Sequence, residues 1–138
     1  EQFTRSGSAP GKSCAIGEIP IAIGYLHDQV KLQKEGAPIE IVIPSDGTGA
    51  ETASMSILKG GPDALNAKKL YDWILGQKAM DIIASWYVIP LSSLATPSET
   101  GFSLDKMKML KDDQWDAANK ERLIERWNRE IAMAPEKK

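Results

Sequence analysis

Apolar and polar residues alternate at the period of an α-helix between Pro62 and Trp86. Charged side chains separate the apolar positions, which are Leu65, Leu70, Ile74, Ile82 and Ile83. Gly76 interrupts this pattern, and an isolated glycine weakens a helix interior. The sequence therefore predicts one helix or two in this segment, with the break near Gly76.

Three other segments have helical character. Residues 10–17 begin with a proline that follows serines, a combination typical of helix starts. Residues 27–35 are polar with apolar residues interspersed, and Gly36 ends them. The third predicted helix covers residues 112–132, and its apolar face consists of Trp115, Leu123, Trp127 and Ile131.

Apolar and β-branched runs predict strands between these helices. The runs are IPIAIGYL at 19–26, the alternating isoleucines of 37–47 and the segment 51–60, and residues 1–5 end a further strand. Residues 87–101 are rich in proline and turn formers, which predicts a connector. Because strands alternate with helices, the sequence predicts an α/β architecture.

Composition and charge exclude several classes of function. The 138 residues, with 42% hydrophobic content, are enough for one domain with a core. The net charge is −2, and neither acidic nor basic residues form a long block in the sequence, which argues against a nucleic-acid partner. The longest apolar stretch, at 19–26, is too short to span a membrane. A single cysteine and a single histidine supply neither an internal disulfide nor the usual ligands of a structural zinc site.

The segment RSGSAPGKS at 5–13 differs from the phosphate-binding loop of nucleotide hydrolases in its spacing. That loop needs four residues between its glycines, because this size wraps backbone N–H groups around the phosphates. Only three residues separate Gly7 from Gly11, and Pro10 has no N–H to donate. The sequence therefore argues against nucleotide binding. Ser6, Gly7 and Ser8 nevertheless precede a helix whose N–H groups can hold an anion, although a serine there more often caps the helix.

Two further segments carry candidate ligand contacts. His27 and Asp28 follow Tyr25 at the end of a predicted strand, where ligands collect in α/β sheets. Glu51 follows a Gly-Thr-Gly turn at 47–49, which allows a tight backbone path beside Asp46. Taken singly, each of these residues has an ordinary alternative role as a helix cap or as a solvated surface residue.

In this order, the segments resemble the C-terminal part of a type II periplasmic solute-binding protein of an ABC importer, in the branch that binds ferric iron, hexose phosphates and aminoalkylphosphonates. The most specific parts are SGSAP at 6–10, the glycine turn before Glu51, and NAKKLYDWILGQKA at 66–79. The likeness runs from about Phe3 to Trp127. It implies the C-terminal part of an α/β fold with two lobes, and a chain of this length is expected to lack the N-terminal half.

The resemblance also implies how the lobes divide. Residues 1–44 are expected in the second lobe with a hinge strand, residues 45–103 in the first lobe, and residues 104–138 form C-terminal helices that return to the second lobe. A ligand in the cleft between the lobes would meet the phosphate contacts Ser6, Gly7 and Ser8, then His27 and Asp28 at the lobe crossing, and Glu51 from the other lobe.

The resemblance favours a small anionic solute, with a hexose phosphate first and an aminoalkylphosphonate second. Ferric-iron members carry two adjacent tyrosines where this chain has Leu26 and His27, so iron is disfavoured because a phenolate pair is the ligand set it prefers. Neither a cofactor, a resident metal nor covalent chemistry is implied. The protein is expected outside the cytoplasm, where its partner is the membrane permease of the importer. A second copy, in a dimer or a domain swap, is also expected, because the surfaces of the cleft would be exposed.

Two other classes of function stay open from the residues alone. A hydrolase could pair the carboxylates of Asp28 and Glu51, or use Cys14 with His27 as nucleophile and base, although no nucleophile motif surrounds Cys14. An interaction module could use exposed tryptophans of the C-terminal helix, Trp115 and Trp127, as anchors. Aromatic residues at helical spacing more often pack into the fold.

Overall fold

The computed structural model describes residues 3–97, 99–110 and 117–132, with only the backbone of residues 117 and 118. Within these ranges the α-helices are α1 (Ala9–Ala15), α2 (Leu26–Lys34), α3 (Ala64–Ile74), α4 (Gln77–Ser85) and α5 (Ala117–Trp127). A 3₁₀ turn at Leu104–Lys106 precedes α5, and a π-helical turn at Asn128–Ala132 follows it. The helices α1 and α2 pack together, and so do α3 and α4.

The predicted helices are confirmed where they are described. Pro10 lies in the first turn of α1, where its missing N–H costs no helical hydrogen bond. Gly36 follows α2 with a φ of 95°, a left-handed conformation that favours glycine at a helix end. Gly76 is the N-cap of α4, so the segment from Pro62 contains two helices. The predicted connector at 87–101 contains neither helix nor strand in its described residues.

The start of α3 shows why this helix begins where it does. Asp63 is its N-cap, and one carboxylate oxygen accepts the backbone N–H of Asn66 at 3.0 Å while the other accepts its side-chain amide at 2.6 Å. Both hydrogen bonds favour the charged carboxylate, and they lower the pKa of Asp63 from its ordinary value of 3.8. A charged N-cap also complements the helix dipole.

The predicted strands are wrong for the described residues. Residues 3–5, 19–25, 37–47 and 51–60 contain no strand, and the single β-bridge found in the described ranges is parallel and joins Thr48 to Met109. A strand is completed by hydrogen bonds to a neighbouring chain segment, and here the apolar runs have no such neighbour. The apolar pattern therefore identified segments suited to a sheet, without the sheet forming between them.

The core of the described residues is small, and much of the apolar surface is exposed. The buried apolar residues are Val30, Ala79 and Ala84. In contrast, Ile23 is 92% exposed and Leu58 is 81% exposed, both in segments predicted as strands. Exposed apolar surface of this extent marks faces that pack against other elements. Among the described helices, none combines the length and the apolar character that crossing a membrane requires.

Candidate functional site

The three residues Ser6, Gly7 and Ser8, here called the serine turn, lead directly into α1. The turn is held by the backbone N–H of Ala9 and the hydroxyl of Thr4, which both donate to the carbonyl oxygen of Ser6, at 3.3 and 2.8 Å. Ser8 is the N-cap residue, yet its side chain makes no capping hydrogen bond. The common capping role is therefore wrong for Ser8, and its hydroxyl lies 3.4 Å from that of Ser6.

Tyr25 connects the serine turn to α2. A Cβ atom at Gly7 would lie 2.7 Å from Cε2 of the Tyr25 ring, so glycine is needed for the ring to approach this closely. On the other side, the ring stacks with the imidazole of His27, with centroids 5.7 Å apart and planes inclined by 22°. These two rings are called the tyrosine–histidine stack. The sequence placed Tyr25 near the site, but only the structure shows its contact with the serine turn.

His27 and Asp28 lie in the first turn of α2. Nε2 of His27 is 3.8 Å from Oδ1 of Asp28, and both side chains are partly exposed. An acidic residue in the first turn is stabilised by the positive end of the helix dipole. The structure therefore links five of the six predicted residues in one continuous series, from the serine turn through Tyr25 to His27 and Asp28.

Glu51 is not joined to this series. The segment 44–51, here called the acidic loop, is held at Thr48, whose N–H donates to the carbonyl oxygen of Lys108 at 3.0 Å and whose carbonyl oxygen accepts the N–H of Leu110 at 2.9 Å. Glu51 follows this bridge and is exposed. Within the described ranges it makes no hydrogen bond, ion pair or ring contact with the serine turn or with Asp28.

A shallow cavity lies beside the acidic loop, away from the serine turn. Its volume is about 360 Å³, and its polar lining side chains are Ser45, Ser103, Lys106 and Lys108. The six predicted residues do not line it. No group of three or more potential metal ligands among histidine, cysteine and carboxylate side chains occurs in the described part of the chain.

Of the alternative catalytic pairs, Cys14 and His27 do not meet in the described residues. The thiol of Cys14 lies 3.9 Å from the carbonyl oxygen of Pro20, whereas the His27 ring lies against Tyr25 and Asp28. A nucleophile and its base must be within hydrogen-bond reach of each other. The described contacts therefore show no Cys14–His27 pair. Paired catalytic carboxylates act several ångströms apart, so the hypothesis of an Asp28–Glu51 pair stays a hypothesis.

The tryptophan hypothesis is tested only at Trp127, because Trp115 lies outside the described residues. The Trp127 ring is 45% exposed and meets the ring of Phe3 edge to face, with centroids 5.4 Å apart. It also lines an apolar groove on α5 with Leu123 and Ile124. Trp127 is thus shared between the N-terminal segment and solvent, and it is not buried in a core as aromatic residues at this spacing usually are.

Comparisons with known proteins match the chain to solute-binding proteins. Residues 8–121 match the bacterial extracellular solute-binding protein family. An uncharacterized protein of Haemophilus influenzae is 36% identical over 141 residues, which cover 96% of this chain and 40% of that protein. The periplasmic binding protein AfuA from Actinobacillus pleuropneumoniae, solved with exogenous fructose-6-phosphate bound, is 33% identical with a TM-score of 0.73. That match covers 96% of this chain and 44% of AfuA.

The structural match confirms the predicted fold class. The chain matches part of a periplasmic binding protein, although its described residues contain helices and no sheet. The chain spans less than half the length of the two relatives it matches. The exposed apolar runs thus lie in a chain that matches part of a longer fold.

Proposed function

The chain belongs to the bacterial extracellular solute-binding protein family, and from this premise we propose that it forms part of the solute-capturing component of an ABC importer. The proposed solute is a small phosphorylated organic molecule, with a hexose phosphate first. The observation that carries the proposal is the similarity to a periplasmic binding protein solved with fructose-6-phosphate. The protein would act in the periplasm or outside the cell and deliver the solute to the membrane permease of the importer.

The serine turn is the proposed site for the phosphoryl group. Hydroxyl groups donate strong hydrogen bonds to charged oxygens, and such bonds are shorter and stronger than neutral ones. Two observations support this role: the Ser8 side chain makes no capping hydrogen bond, and Ser6 is exposed. Gly7 has no side chain, and the Tyr25 ring takes the space that one would need, so the ring holds the turn that carries the two hydroxyls against α2.

Asp28 and Glu51 are the proposed contacts for the variable part of the solute. Ionised carboxylates accept hydrogen bonds from sugar hydroxyls or from an amine, and the two residues come from different segments. Asp28 belongs to the series that begins at the serine turn, whereas Glu51 lies on the far side of the acidic loop bridge. His27, held by its stack on Tyr25, adds a polar ring edge beside Asp28.

The proposed mechanism is closure of two lobes around the solute. Residues 1–44 are assigned to the second lobe, residues 45–103 to the first lobe, and residues 104–138 return to the second. A ligand that bridges groups on two rigid bodies stabilises their closed arrangement, which the permease then recognises. Binding by closure requires no covalent step, so the protein is proposed to be a carrier and not an enzyme.

The exposed apolar segments support the presence of further lobe elements. Ile21, Ile23 and Val42 are each at least 75% exposed, and they lie in the segments predicted as strands. We assign their burial to the N-terminal half of the same fold, since the matched relatives are more than twice as long as this chain. Without that half, these surfaces favour association into a dimer or a domain-swapped assembly.

A thermal-shift screen of the whole protein tests the proposed solute. The screen compares fructose-6-phosphate, glucose phosphate, aminoethylphosphonate, ferric citrate, inorganic phosphate and free fructose. A solute at one hundred times its dissociation constant adds about 2.7 kcal/mol to the free energy of unfolding. We expect the two hexose phosphates to raise the melting temperature most.

The single-component ligands are the controls of this screen. Inorganic phosphate contains only the group assigned to the serine turn, and fructose contains only the group assigned to Asp28 and Glu51. Each should give a smaller shift than the phosphorylated sugar, because each engages half of the contacts. If ferric citrate or the phosphonate raises the melting temperature more than the hexose phosphates do, the proposed solute is wrong and that ligand takes its place.

A further inference from the structure

Gln29 carries a buried amide for which the function described so far has no use. It follows Asp28 on α2, and its Nε2 atom is fully buried without a hydrogen-bond partner in the described residues. Buried polar groups are almost always hydrogen-bonded, because an unpaired one loses its hydration without compensation. No hydrogen bond therefore holds the Nε2 end of this side chain, and its place is set by packing.

Two glycines leave room for this amide. A Cβ atom at Gly11 would lie 2.5 Å from Nε2 of Gln29, and a Cβ atom at Gly24 would lie 2.6 Å from the same atom. Real side chains do not approach this closely, so the amide occupies the space that any other residue at either position would need. Gly11 and Gly24 are together called the glycine notch.

Gly11 lowers the stability of α1, and the glycine notch gives a reason why a glycine is nevertheless found there. Gly11 is the buried residue of α1, and its φ is not in the left-handed region that requires glycine. In a helix, alanine is preferred over glycine because glycine loses more backbone freedom on folding. The close approach of the Gln29 amide accounts for a glycine at this position.

We propose that Gln29 is a positioning residue of the binding site, and that its amide in the glycine notch is a spacer that sets the separation between the serine turn and Asp28. The proposal rests on the function proposed above. Gly11 lies on the helix that the serine turn begins, and Gly24 precedes Tyr25. The amide thus touches both elements that carry the two ends of the proposed solute, while Gln29 itself is adjacent to Asp28.

A spacer has a specific consequence for ligand selectivity. A phosphorylated sugar must reach the serine turn and Asp28 together, so its affinity depends on their separation. Inorganic phosphate contacts the serine turn alone, so its affinity does not depend on that separation. Displacing the amide should therefore lower the ratio of the two affinities, whereas a general loss of stability would leave the ratio unchanged.

The test uses four variants of the whole protein: Gln29→Ala, Gly11→Ala, the double variant, and Gln29→Met, which keeps the length of the side chain. Gln33→Ala is the matched control, because Gln33 lies on the same helix and donates to the carbonyl oxygen of Ile39 outside the notch. Calorimetry gives the dissociation constants of fructose-6-phosphate and inorganic phosphate for each variant, and thermal unfolding without ligand gives its stability.

We expect Gln29→Ala and Gly11→Ala each to lower the affinity ratio by about fivefold or more. The double variant should lower it no further, since both changes remove the same contact. Gln29→Met and Gln33→Ala should keep the ratio. The spacer proposal is wrong if Gln29→Ala leaves the affinity ratio unchanged. It is also wrong if the effects of the two single variants simply multiply in the double variant.

Failure of the proposed function would be recognised separately. If the unaltered protein binds neither fructose-6-phosphate nor phosphate, the proposed solute is wrong, and the spacer is then judged from stability without ligand. Residues in contact show non-additive changes in stability, and independent residues show additive ones. Additive shifts in melting temperature for Gly11→Ala and Gln29→Ala would overturn the contact itself.

Discussion

The serine turn and the acidic loop both carry proposed ligand contacts, but they are held in place by different means. A side chain joins the serine turn to α2, because the Tyr25 ring lies against Gly7 and stacks on His27. Backbone hydrogen bonds of Thr48 join the acidic loop to Lys108 and Leu110, and the ten residues from 51 to 60 that follow are all exposed. The serine turn is thus joined to its neighbouring helix by ring packing, whereas the acidic loop is joined to residues 108 and 110 by a backbone bridge, and Glu51 lies beyond that bridge.

This difference fits two stages of ligand capture. Groups held by packed side chains are preorganised, so they bind without a further cost of ordering. A group beyond a single bridge can move, and elements that move on binding are drawn from regions with few buried contacts. We therefore expect the serine turn and Asp28 to meet the solute first and Glu51 to join on closure.

The largest expected effect is on ligand affinity, and it distinguishes the serine turn from Asp28. Ser8→Phe should weaken fructose-6-phosphate and inorganic phosphate alike, because it blocks the group that both ligands share. Asp28→Ala should weaken the phosphorylated sugar alone. Each lost charge-assisted hydrogen bond corresponds to about 1.5 to 3 kcal/mol, or roughly ten- to a hundredfold in affinity. Calorimetric titration of the two variants with both ligands provides the measurement.

Two substitutions at a distance control for general damage. Ser93→Phe adds the same bulk to an exposed position in the connector, and Asp72→Ala removes an exposed carboxylate on α3. Both should leave the two affinities unchanged. If Asp28→Ala weakens both ligands by the same factor, the division between a phosphate end and a sugar end is incorrect.

The second prediction compares glycines in the two regions. Gly47 in the acidic loop has a φ of 131°, and a Cβ there would lie 2.7 Å from the Leu110 side chain. Gly47→Ala should lower the free energy of unfolding by about 1 to 3 kcal/mol, because a non-glycine residue is strained at such a φ. Gly7→Ala meets only the movable Tyr25 ring and should cost about 0.5 to 1.5 kcal/mol.

Gly49 provides the matched control for both, since a Cβ at this position meets nothing within 4 Å and its φ is not in the left-handed region. Urea unfolding of the three alanine variants gives the free energies, and the slope checks that the transition is unchanged. Equal losses for Gly47→Ala and Gly49→Ala would remove the backbone explanation for how the acidic loop is held.

The smallest predicted effect depends on pH and lies outside both regions, at the start of α3. The pKa of Asp63 is lowered by its hydrogen bonds to Asn66, so its contribution to stability is complete above the ordinary value of 3.8. That contribution is lost as the pH falls through the lower pKa of the folded protein. The melting temperature of Asp63→Ala should therefore lie below that of the unaltered protein near neutral pH, and the gap should close in acid.

Asp63→Asn separates the charge from the cap. Asparagine still caps a helix but does not titrate, so its difference from the unaltered protein should have a different pH dependence from that of Asp63→Ala. Melting temperatures of the three proteins across an acid series provide the test. A gap for Asp63→Ala that stays constant into strong acid would show that the carboxylate charge is irrelevant to the cap.

Local patterns predicted the helices well because helices are completed by local hydrogen bonds. Gly36 and Gly76 end or divide helices at the positions expected, and the period of apolar residues identified α3 and α4. The strands at 19–26, 37–47 and 51–60 were not found, although the fold class is confirmed. A strand needs hydrogen bonds from a distant segment, and an apolar run cannot supply its own neighbour.

The sequence by itself determined which residues we propose as ligand contacts: the hydroxyls of the serine turn, the carboxylates of Asp28 and Glu51, and the ring of His27. Only the tertiary structure decided which of them meet, because contacts across many residues depend on packing. It joined Tyr25 to Gly7, set the amide of Gln29 into the space left by Gly11, and left Glu51 apart. The sequence shows where a glycine lies but not which neighbouring group fills the space beside it, because that neighbour is brought there by the tertiary structure.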